Sequence, residues 1–468
     1  MMKRWFPTFR HWLVRRGPRV ARGLLVLFVL IAIPWTYFNI KFGRQIERRL
    51  AALKADGLPV TIADVVPEPV PDAQNAAVVY QTVFEVSFDP TTGPAARTDA
   101  PLARLDDVTD RTGGDRMRLA PGARELLSTP EAEQVLRTLR QASELPYSVF
   151  PVNWEDGFAA LFPHLQRYRS GARVLWAQAL ISAEDGRTEE ALDWCLVALR
   201  MSEHPLAEPS LIAQLVGYAV QAITFDAMRE ILSTGAVSPA MAAEFETLLR
   251  DMDLHEGFSA AMDAERALVC DIYDLLRREP ARIYSMLDIH RGFPNSIYFG
   301  WPGRPFHKLD QLIYLDYAQR YDDFWDEPYR DVAADFDALA QELSRPAEFY
   351  RAPTKGVVAR TLAPAYGGAA RKRDSALAQI NLCRVAMALK AHKSTHGAYP
   401  AHLEQLQQAL DYQLPEDPFS GKDFVYTPQA DGFTLYSLGE DLDDDGGATR
   451  HDEGHDATNC DVVWECAG

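Results

Sequence analysis

The pattern of hydrophobic positions starts with one uncharged run near the N-terminus, residues 23–40, which reads GLLVLFVLIAIPWTYFNI. At 1.5 Å per residue this run makes a helix of about 27 Å, enough to cross the core of a bilayer. Trp35, Tyr37 and Phe38 stand near its C-terminal end, where interfacial aromatic residues are expected. A cleaved signal peptide is the alternative, but the following KFGRQIERRL offers no small-residue cleavage site. The pattern therefore predicts an uncleaved transmembrane anchor at residues 23–40.

The charges around this run predict its orientation. The preceding tail, residues 1–22, holds seven basic residues and no acidic one. The run is followed by a mixed group, Lys41, Arg44, Glu47, Arg48 and Arg49. The larger basic excess before the run favours a cytoplasmic N-terminus. We therefore expect a single-pass membrane protein with a basic cytoplasmic tail at residues 1–22 and an exported, periplasmic or extracytoplasmic body.

After the anchor the pattern changes to that of a helical body. Residues 41–128 form a proline-rich juxtamembrane region, in which only a short helix near residues 75–84 is expected. From residue 129 onward, Thr129-Pro130 and later Ser238-Pro239 each combine an N-cap with a proline at the first helical position. Between them, apolar residues recur at three- and four-residue spacing over residues 212–223. We expect residues 129–350 to be a helical domain built from hairpins.

One hairpin of this domain, residues 175–201 with Gly186 at the turn, resembles a tetratricopeptide unit. No second copy follows at the period of about 34 residues, so a generic α-hairpin is the alternative. The wider stretch is similar to uncharacterised exported bacterial helical proteins, which implies location and shape. Residues 285–308 then interrupt the helices with glycines, prolines and aromatic residues that include Trp301 and Phe306. That loop either packs its aromatic side chains on the body or displays them to a partner or to the membrane surface.

The C-terminal fifth of the chain has a pattern of its own. Residues 351–372 are rich in Ala, Gly and Pro and lack a periodic stripe, which predicts a linker. Beyond it, Asp374 or Ser375 is placed to cap a helix, and a short second helix and antiparallel strands around the turn at residues 430–432 follow. The fold class predicted for the whole chain is mainly α, with an N-terminal transmembrane helix and a small C-terminal α+β domain at residues 373–468.

This C-terminal domain resembles a known family. ALKAHKSTHGAYP ends its helix, LPEDPFSGKDFVY enters its strands, and FTLYSLGED leads to an acidic loop that ends at Trp464. In this order the pieces resemble the C-terminal domain of the major pseudopilin of type II secretion systems, over about residues 373–468. The resemblance implies a pseudopilin-like fold with calcium in the last loop. The chain departs from the family because its membrane run lies more than three hundred residues upstream of this domain, instead of directly ahead of it.

The last loop is the candidate metal site. The spacing D-x-D-x-D-G from Asp441 to Gly446, with an acid at the twelfth position, is typical of loops that wrap oxygen ligands round a hard cation. The family resemblance implies Asp441 as the first aspartate ligand and leaves the second open between Asp452 and Asp456. A solvated acidic tail is the alternative. The predicted Ca²⁺ ligands are Leu438, through its carbonyl, and the side chains of Asp441, Asp443, Asp445, Asp452 and Asp456.

Other candidate chemistry is weaker. His451 and His455 in HDEGH lack the glutamate that the zinc-peptidase motifs HExxH and HxxEH require. Cys460 and Cys466 can form a disulfide in an oxidising compartment, while the other three cysteines fall within helical runs and are expected to be buried thiols. The sequence contains no phosphate-binding loop, no G-x-S-x-G elbow and no dinucleotide fingerprint. It therefore gives no motif for an enzyme.

The charge balance excludes one class of partner. The net charge is −18, and because residues 1–40 carry seven basic residues and no acidic one, the rest of the chain carries −25. A body with this much negative charge repels phosphate backbones, so we expect no nucleic-acid partner. The expected function is that of a membrane-anchored envelope protein of the interaction or scaffold type, with protein partners. The alternatives are a component of a type II secretion-like machine and an envelope hydrolase with a dispersed Asp and His site.

Overall fold

A computed structural model of the chain describes residues 6–88, 95–110, 117–280, 300–344, 357–448 and 462–466. These residues are mainly helical, as predicted. The helices are α1 (Phe6–Ala55), α2 (Ala76–Phe84), α3 (Ala123–Leu127), α4 (Pro130–Ser143), α5 (Pro163–Glu184), α6 (Thr188–Leu206), α7 (Leu211–Thr234), α8 (Pro239–Arg250), α9 (Leu254–Arg278), α10 (Arg304–Asp322), α11 (Tyr329–Ser344), α12 (Val357–His396) and α13 (Leu403–Ala409).

The strands are short. The proline-rich region contributes two small antiparallel pairs, β1 (Val86–Ser87) with β2 (Ala95–Ala96) and β3 (Thr109–Asp110) with β4 (Arg118–Leu119). The C-terminal sheet has the order β5-β6-β7 and is antiparallel throughout; its strands are β5 (Val425–Pro428), β6 (Phe433–Ser437) and β7 (Val462–Cys466). The predicted strands on both sides of residues 430–432 are therefore confirmed.

Several helix boundaries follow from the local signals that predicted them. Thr129 caps α4 by accepting a hydrogen bond from the backbone N–H of Ala132 at 3.3 Å, and Ser238 caps α8 by accepting one from Met241 at 3.2 Å. Proline occupies the first position of both helices, where its missing N–H removes no helical bond. In the proline-rich region, Asn75 caps the short helix α2 by accepting from Ala77.

Helix α1 is unbroken for 50 residues and contains the whole uncharged run. Among the described residues, two helices are long and apolar enough to cross a membrane. The segment Ala21–Ala55 of α1 has a mean hydropathy of 2.0 and its apolar window is not buried, whereas most of the window in α7 is buried inside the protein. An N-terminal apolar helix of this kind is consistent with a membrane anchor or a signal sequence, while α7 is a core helix.

Two large hydrophobic cores lie in the described part of the body. The first lies between α2 and α4 to α8 and continues into the C-terminal half of α12 and the C-terminal sheet. The hairpin of α5 and α6 is at its centre, and Gly186, with φ of +77°, makes the turn between these helices. Only glycine adopts such a φ without strain, which explains the residue at this position. The second core lies between α9, α10, α11 and the N-terminal half of α12.

Helix α12 therefore corrects the predicted domain boundary. It runs from Val357 to His396 and so passes through the predicted linker, of which residues 357–372 are helical. Tyr366 and Ala370 of that segment are buried in the second core. Asp374 and Ser375 do not cap a helix, because they lie inside α12. The alanine- and glycine-rich sequence allows close packing here, with Gly367 against Phe336 of α11, rather than a flexible connection.

The C-terminal sheet packs on the helical body. Trp464 of β7 is fully buried, stands opposite Leu435 of β6, and meets Phe225 of α7 edge to face at 6.0 Å between ring centroids. The guanidinium of Arg229, one turn further along α7, lies 5.5 Å from the centre of the Trp464 ring. Residues on both sides of the predicted boundary thus share one core. Whether residues 373–468 also fold alone stays a prediction.

Candidate functional site

The strongest candidate site is the junction where α1 leaves the uncharged run and lies against α10. The indole N–H of Trp35 donates to the carbonyl of Pro302 at 3.0 Å, and the ammonium of Lys308 donates to the carbonyl of Asn39 at 2.9 Å. The separations along the chain are 267 and 269 residues. Because this separation stays nearly constant along both helices, α10 runs beside α1 in the same direction.

The contact continues away from the run. Arg49 of α1 forms an ion pair of 3.1 Å with Asp316 of α10 and also donates to the side chain of Gln319. Residues of α1 at three- and four-residue spacing face α10 or the core beside it, which is the pattern of one side of a helix. They are Trp35, Asn39, Gly43, Ile46, Arg49, Leu50 and Leu53.

Gly43 allows the two helices to approach closely. A Cβ atom at this position would lie 2.9 Å from the ammonium of Lys308. The space that glycine leaves is therefore where Lys308 reaches the carbonyl of Asn39. Burial, and after it the positive charge of Arg277, lowers the pKa of Lys308 from its ordinary value. The lysine hydrogen bond thus spans the junction in a partly dehydrated setting.

Aromatic residues mark the end of the junction nearest the uncharged run. The rings of Trp35 and Trp301 stack with centroids 4.1 Å apart. Trp301 is nevertheless 59% exposed, and Phe306, in the first turn of α10, is 37% exposed. The loop at residues 285–308 is expected either to pack its aromatic side chains on the body or to display them. Trp301 does both, because its ring stacks on Trp35 of α1 while much of the side chain stays exposed. Residues 281–299, with the other aromatic side chains of that loop, lie outside the described residues.

A groove opens between α1 and α10 further from the run. Its volume is about 530 Å³, and it is lined by Gln45, Arg48, Arg49, Leu312, Ile313, Asp316 and Tyr317. The lining combines two guanidinium groups with apolar side chains. Because Arg49 is already paired with Asp316, the charge available on this surface comes mainly from Arg48, which is exposed.

The predicted calcium loop is described only in part. Asp441 and Asp443 are exposed, and Gly446 has φ of +70°. Asp444, which the motif does not use, accepts from the hydroxyl of Tyr436 at 2.8 Å and from the backbone N–H of Gly446 at 3.0 Å. Within the described part of the chain, no three His, Cys, Asp or Glu side chains converge as metal ligands would.

Asp452, Asp456 and Cys460 lie outside the described residues, as do His451 and His455. For Cys466 only the backbone in β7 is described, so the predicted disulfide with Cys460 stays a prediction. The prediction for the other cysteines is confirmed, since all three thiols are buried: Cys195, Cys270 and Cys383.

Histidines and acids that are distant in sequence do meet in the first core. His164 is wholly buried, and its Nε2 lies 2.8 Å from a carboxylate oxygen of Glu208 while its ring stacks on Phe150 at 4.3 Å. The sequence around His164 or Glu208 does not predict this pair, which links α5 to the turn before α7. Because His164 has no exposed surface, it cannot touch a substrate in this structure. The pair therefore serves packing and gives the hydrolase alternative no open site.

A second buried histidine has a comparable structural role. His204 Nε2 donates to the carbonyl of Leu145 at 2.9 Å, so its Nδ1 accepts from the hydroxyl of Tyr80 at 3.0 Å. Burial lowers the pKa of His204 to about 4. The imidazole is thus neutral at physiological pH, and its two hydrogen bonds satisfy both ring nitrogens inside the core.

Helix α12 carries buried charges that the sequence did not reveal. Arg373 is wholly buried; its Nε donates to Asp374 at 2.7 Å, while the two Nη groups donate to the carbonyls of Trp325 and Glu327. The other carboxylate oxygen of Asp374 accepts from the backbone N–H of Tyr329 at 2.6 Å. Arg373 and Asp374 therefore fasten α12 to the connection between α10 and α11.

Two further cations fasten α12 to the first core. Arg384 makes a two-pronged pair with Glu246 of α8, with N to O distances of 2.9 and 2.6 Å. Lys390 donates to the carbonyl of Leu232 near the end of α7 at 2.5 Å. Charged groups along α12 thus attach this helix to both cores. A search for apolar residues at helical spacing does not find such groups.

Comparison with protein-family models, with curated proteins and with solved structures finds no match to this chain.

Proposed function

We propose that this protein is a membrane-anchored, exported envelope protein of the interaction or scaffold type, whose anchor helix is part of the folded body. The observation that carries the proposal is the junction of α1 with α10. A signal peptide is removed and needs no fixed partner, whereas the last residues of this run, Trp35 and Asn39, are hydrogen-bonded to Pro302 and Lys308. The uncharged run and the folded body are thus one continuous unit.

The positions of the buried charged groups support the scaffold role. Buried charged groups of α12 join it to other elements: Arg384 pairs with Glu246 of α8, and Arg373 and Asp374 hydrogen-bond the backbone of residues 325–329. The segment ahead of the pseudopilin-like module, residues 357–372, is packed on the body. In a pseudopilin that position is taken by the membrane segment, so the packing favours a scaffold over a subunit that polymerises into a pseudopilus.

The location of the C-terminus and the attachment to the membrane test this proposal. A reporter that is active only outside the cytoplasm, fused to the C-terminus, is expected to give signal, and the full-length chain is expected to resist extraction by high salt and by carbonate. The same fusion to a chain in which Leu27 and Leu30 are both replaced by arginine is the control, and it should lose membrane retention. Recovery of a soluble form that starts near residue 41 would show instead that the run is a signal peptide.

We also propose that the acidic loop binds Ca²⁺, through the ligands named above. Nine acids between Glu440 and Asp461 face one arginine, so the loop repels itself unless a cation neutralises it. Gly446 supports the proposal, because the sixth position of such loops requires a sharp turn and this glycine has a positive φ.

Calcium titration of the full-length protein tests this site. If Ca²⁺ binds the folded state alone, saturation at a hundredfold excess over the dissociation constant adds about 2.7 kcal/mol to stability and raises the melting temperature. Asp441→Ala is expected to remove most of that rise. The matched control is Asp423→Ala, an exposed acid outside the loop, which should leave it unchanged. An unchanged melting curve of the unmodified protein would identify the acids as a solvated tail.

A further inference from the structure

The register of α1 and α10 sets the depth of the body relative to the membrane. Trp301 and Pro302 lie beside Trp35, which is five residues before the end of the uncharged run at Ile40. At 1.5 Å per residue, five residues of helix correspond to about 7–8 Å along the axis. If the run spans a bilayer, the turn that precedes α10 therefore lies level with the last turns of the membrane helix, not above them.

The composition of that turn suits this depth. It reads Gly300-Trp-Pro-Gly before Arg304, without a charged side chain, and Phe306 follows in α10. Trp301 and Phe306 are among the few large apolar side chains of the described body that are exposed. On α1, the neighbouring Tyr37 and Ile40 are also exposed, so the apolar surface of the run continues onto the body. Indole rings prefer the level of the lipid headgroups.

We propose that the turn Gly300–Phe306 is a second membrane-contacting element, which inserts Trp301 and Phe306 into the lipid interface beside the anchor. The occupant of this surface is the bilayer that holds α1, and the inference rests on the proposed membrane anchoring. Single-span anchors leave a body free to swivel. Here the body touches the membrane at two points and is held in one orientation.

The charges around the turn fit a lipid surface. Lys41 and Arg44 are exposed on α1 immediately after the run, and Arg304 begins α10. At this level along α1, basic side chains lie where anionic headgroups attract them. Because the rest of the chain is strongly acidic, a membrane would repel most other faces of the body. The cations that follow the run therefore favour the end of the body that carries Trp301.

The experiment uses the full-length chain, labelled with 5-fluorotryptophan, in vesicles of phosphatidylcholine and phosphatidylglycerol. Fluorine signals of Trp35, Trp301 and Trp194 are assigned from the Trp→Phe variant of each. Two relaxation agents are compared, a lipid with a nitroxide near its headgroup and a water-soluble gadolinium chelate. Trp194, half-buried in α6 under the guanidinium of Arg140, is the control for a body residue away from the turn.

We expect the lipid nitroxide to broaden the signals of Trp35 and Trp301 several-fold more than that of Trp194. We also expect the aqueous chelate to broaden the Trp301 signal less than the 59% exposure of this side chain would predict if its exposed surface faced water. If Trp35 responds to the lipid agent but Trp301 responds to the aqueous one, the second contact is wrong while the anchor stands. If neither Trp35 nor Trp301 responds to the lipid agent, the proposed membrane anchoring itself is overturned.

Discussion

Replacing Arg373 with methionine is expected to lower the free energy of unfolding by about 3–5 kcal/mol, because the change leaves the carboxylate of Asp374 buried without its partner. Both side chains are 0% exposed, so water cannot take the place of the lost guanidinium. The carbonyls that the guanidinium serves at the connection between α10 and α11 also lose their donors. Denaturant unfolding of the full-length protein in detergent, followed by circular dichroism, measures the loss.

The neighbouring residue provides a matched control. Lys372 is exposed on the same turn of α12, and Lys372→Met is expected to change stability by no more than about 0.5 kcal/mol. Adding Asp374→Leu to Arg373→Met removes the orphaned charge and should recover part of the loss. Equal effects of Arg373→Met and Lys372→Met would contradict the buried pair and with it the attachment of α12 to the second core.

The second large effect is expected at Trp464. Trp464→Ala removes a fully buried indole from between β6 and α7 and is expected to cost about 3–5 kcal/mol. Val463, the preceding residue of β7, is half-buried on the other face of the sheet, and Val463→Ala should cost much less. Thermal melting of the two variants, read side by side, gives the comparison.

The Trp464 variant also tests how the C-terminal sheet relates to the body. Because Trp464 contacts Phe225 and Arg229 of α7, its loss is expected to lower the melting temperature of the whole protein in one transition. A separate early transition of residues 373–468, with the rest of the melting curve unchanged, would mean that the sheet is an independent domain after all.

Local signals predicted the parts of the fold that local physics decides. The caps at Thr129 and Ser238 and the short helix after Asn75 depend on hydrogen bonds within a few residues, so sequence spacing is enough to find them. Strands on both sides of residues 430–432 follow from alternation and a turn in the same way.

Tertiary contacts explain where the sequence misled. Asp374 looks like an N-cap because an acid before an apolar stripe is the usual cap pattern, yet its carboxylate serves Arg373 and the backbone N–H of Tyr329 inside a longer helix. The linker at residues 351–372 looks flexible because its small residues carry no stripe, whereas small residues also allow close helix packing. The candidate site could not be assembled from sequence at all, since its two helices are 267 residues apart.

The docking of α1 against α10 is tested most directly by a cross-link. Cysteines replacing Arg49 and Asp316, whose side chains are 3.1 Å apart, are treated in intact membranes with a short bismaleimide. Arg44, exposed on the opposite side of α1, is paired with Asp316 as the control. If α1 is docked as described, the first pair cross-links rapidly within one chain and the second pair reacts little. Equal, slow reaction of both pairs would mean that the anchor helix is only a tether and that the docked junction is wrong.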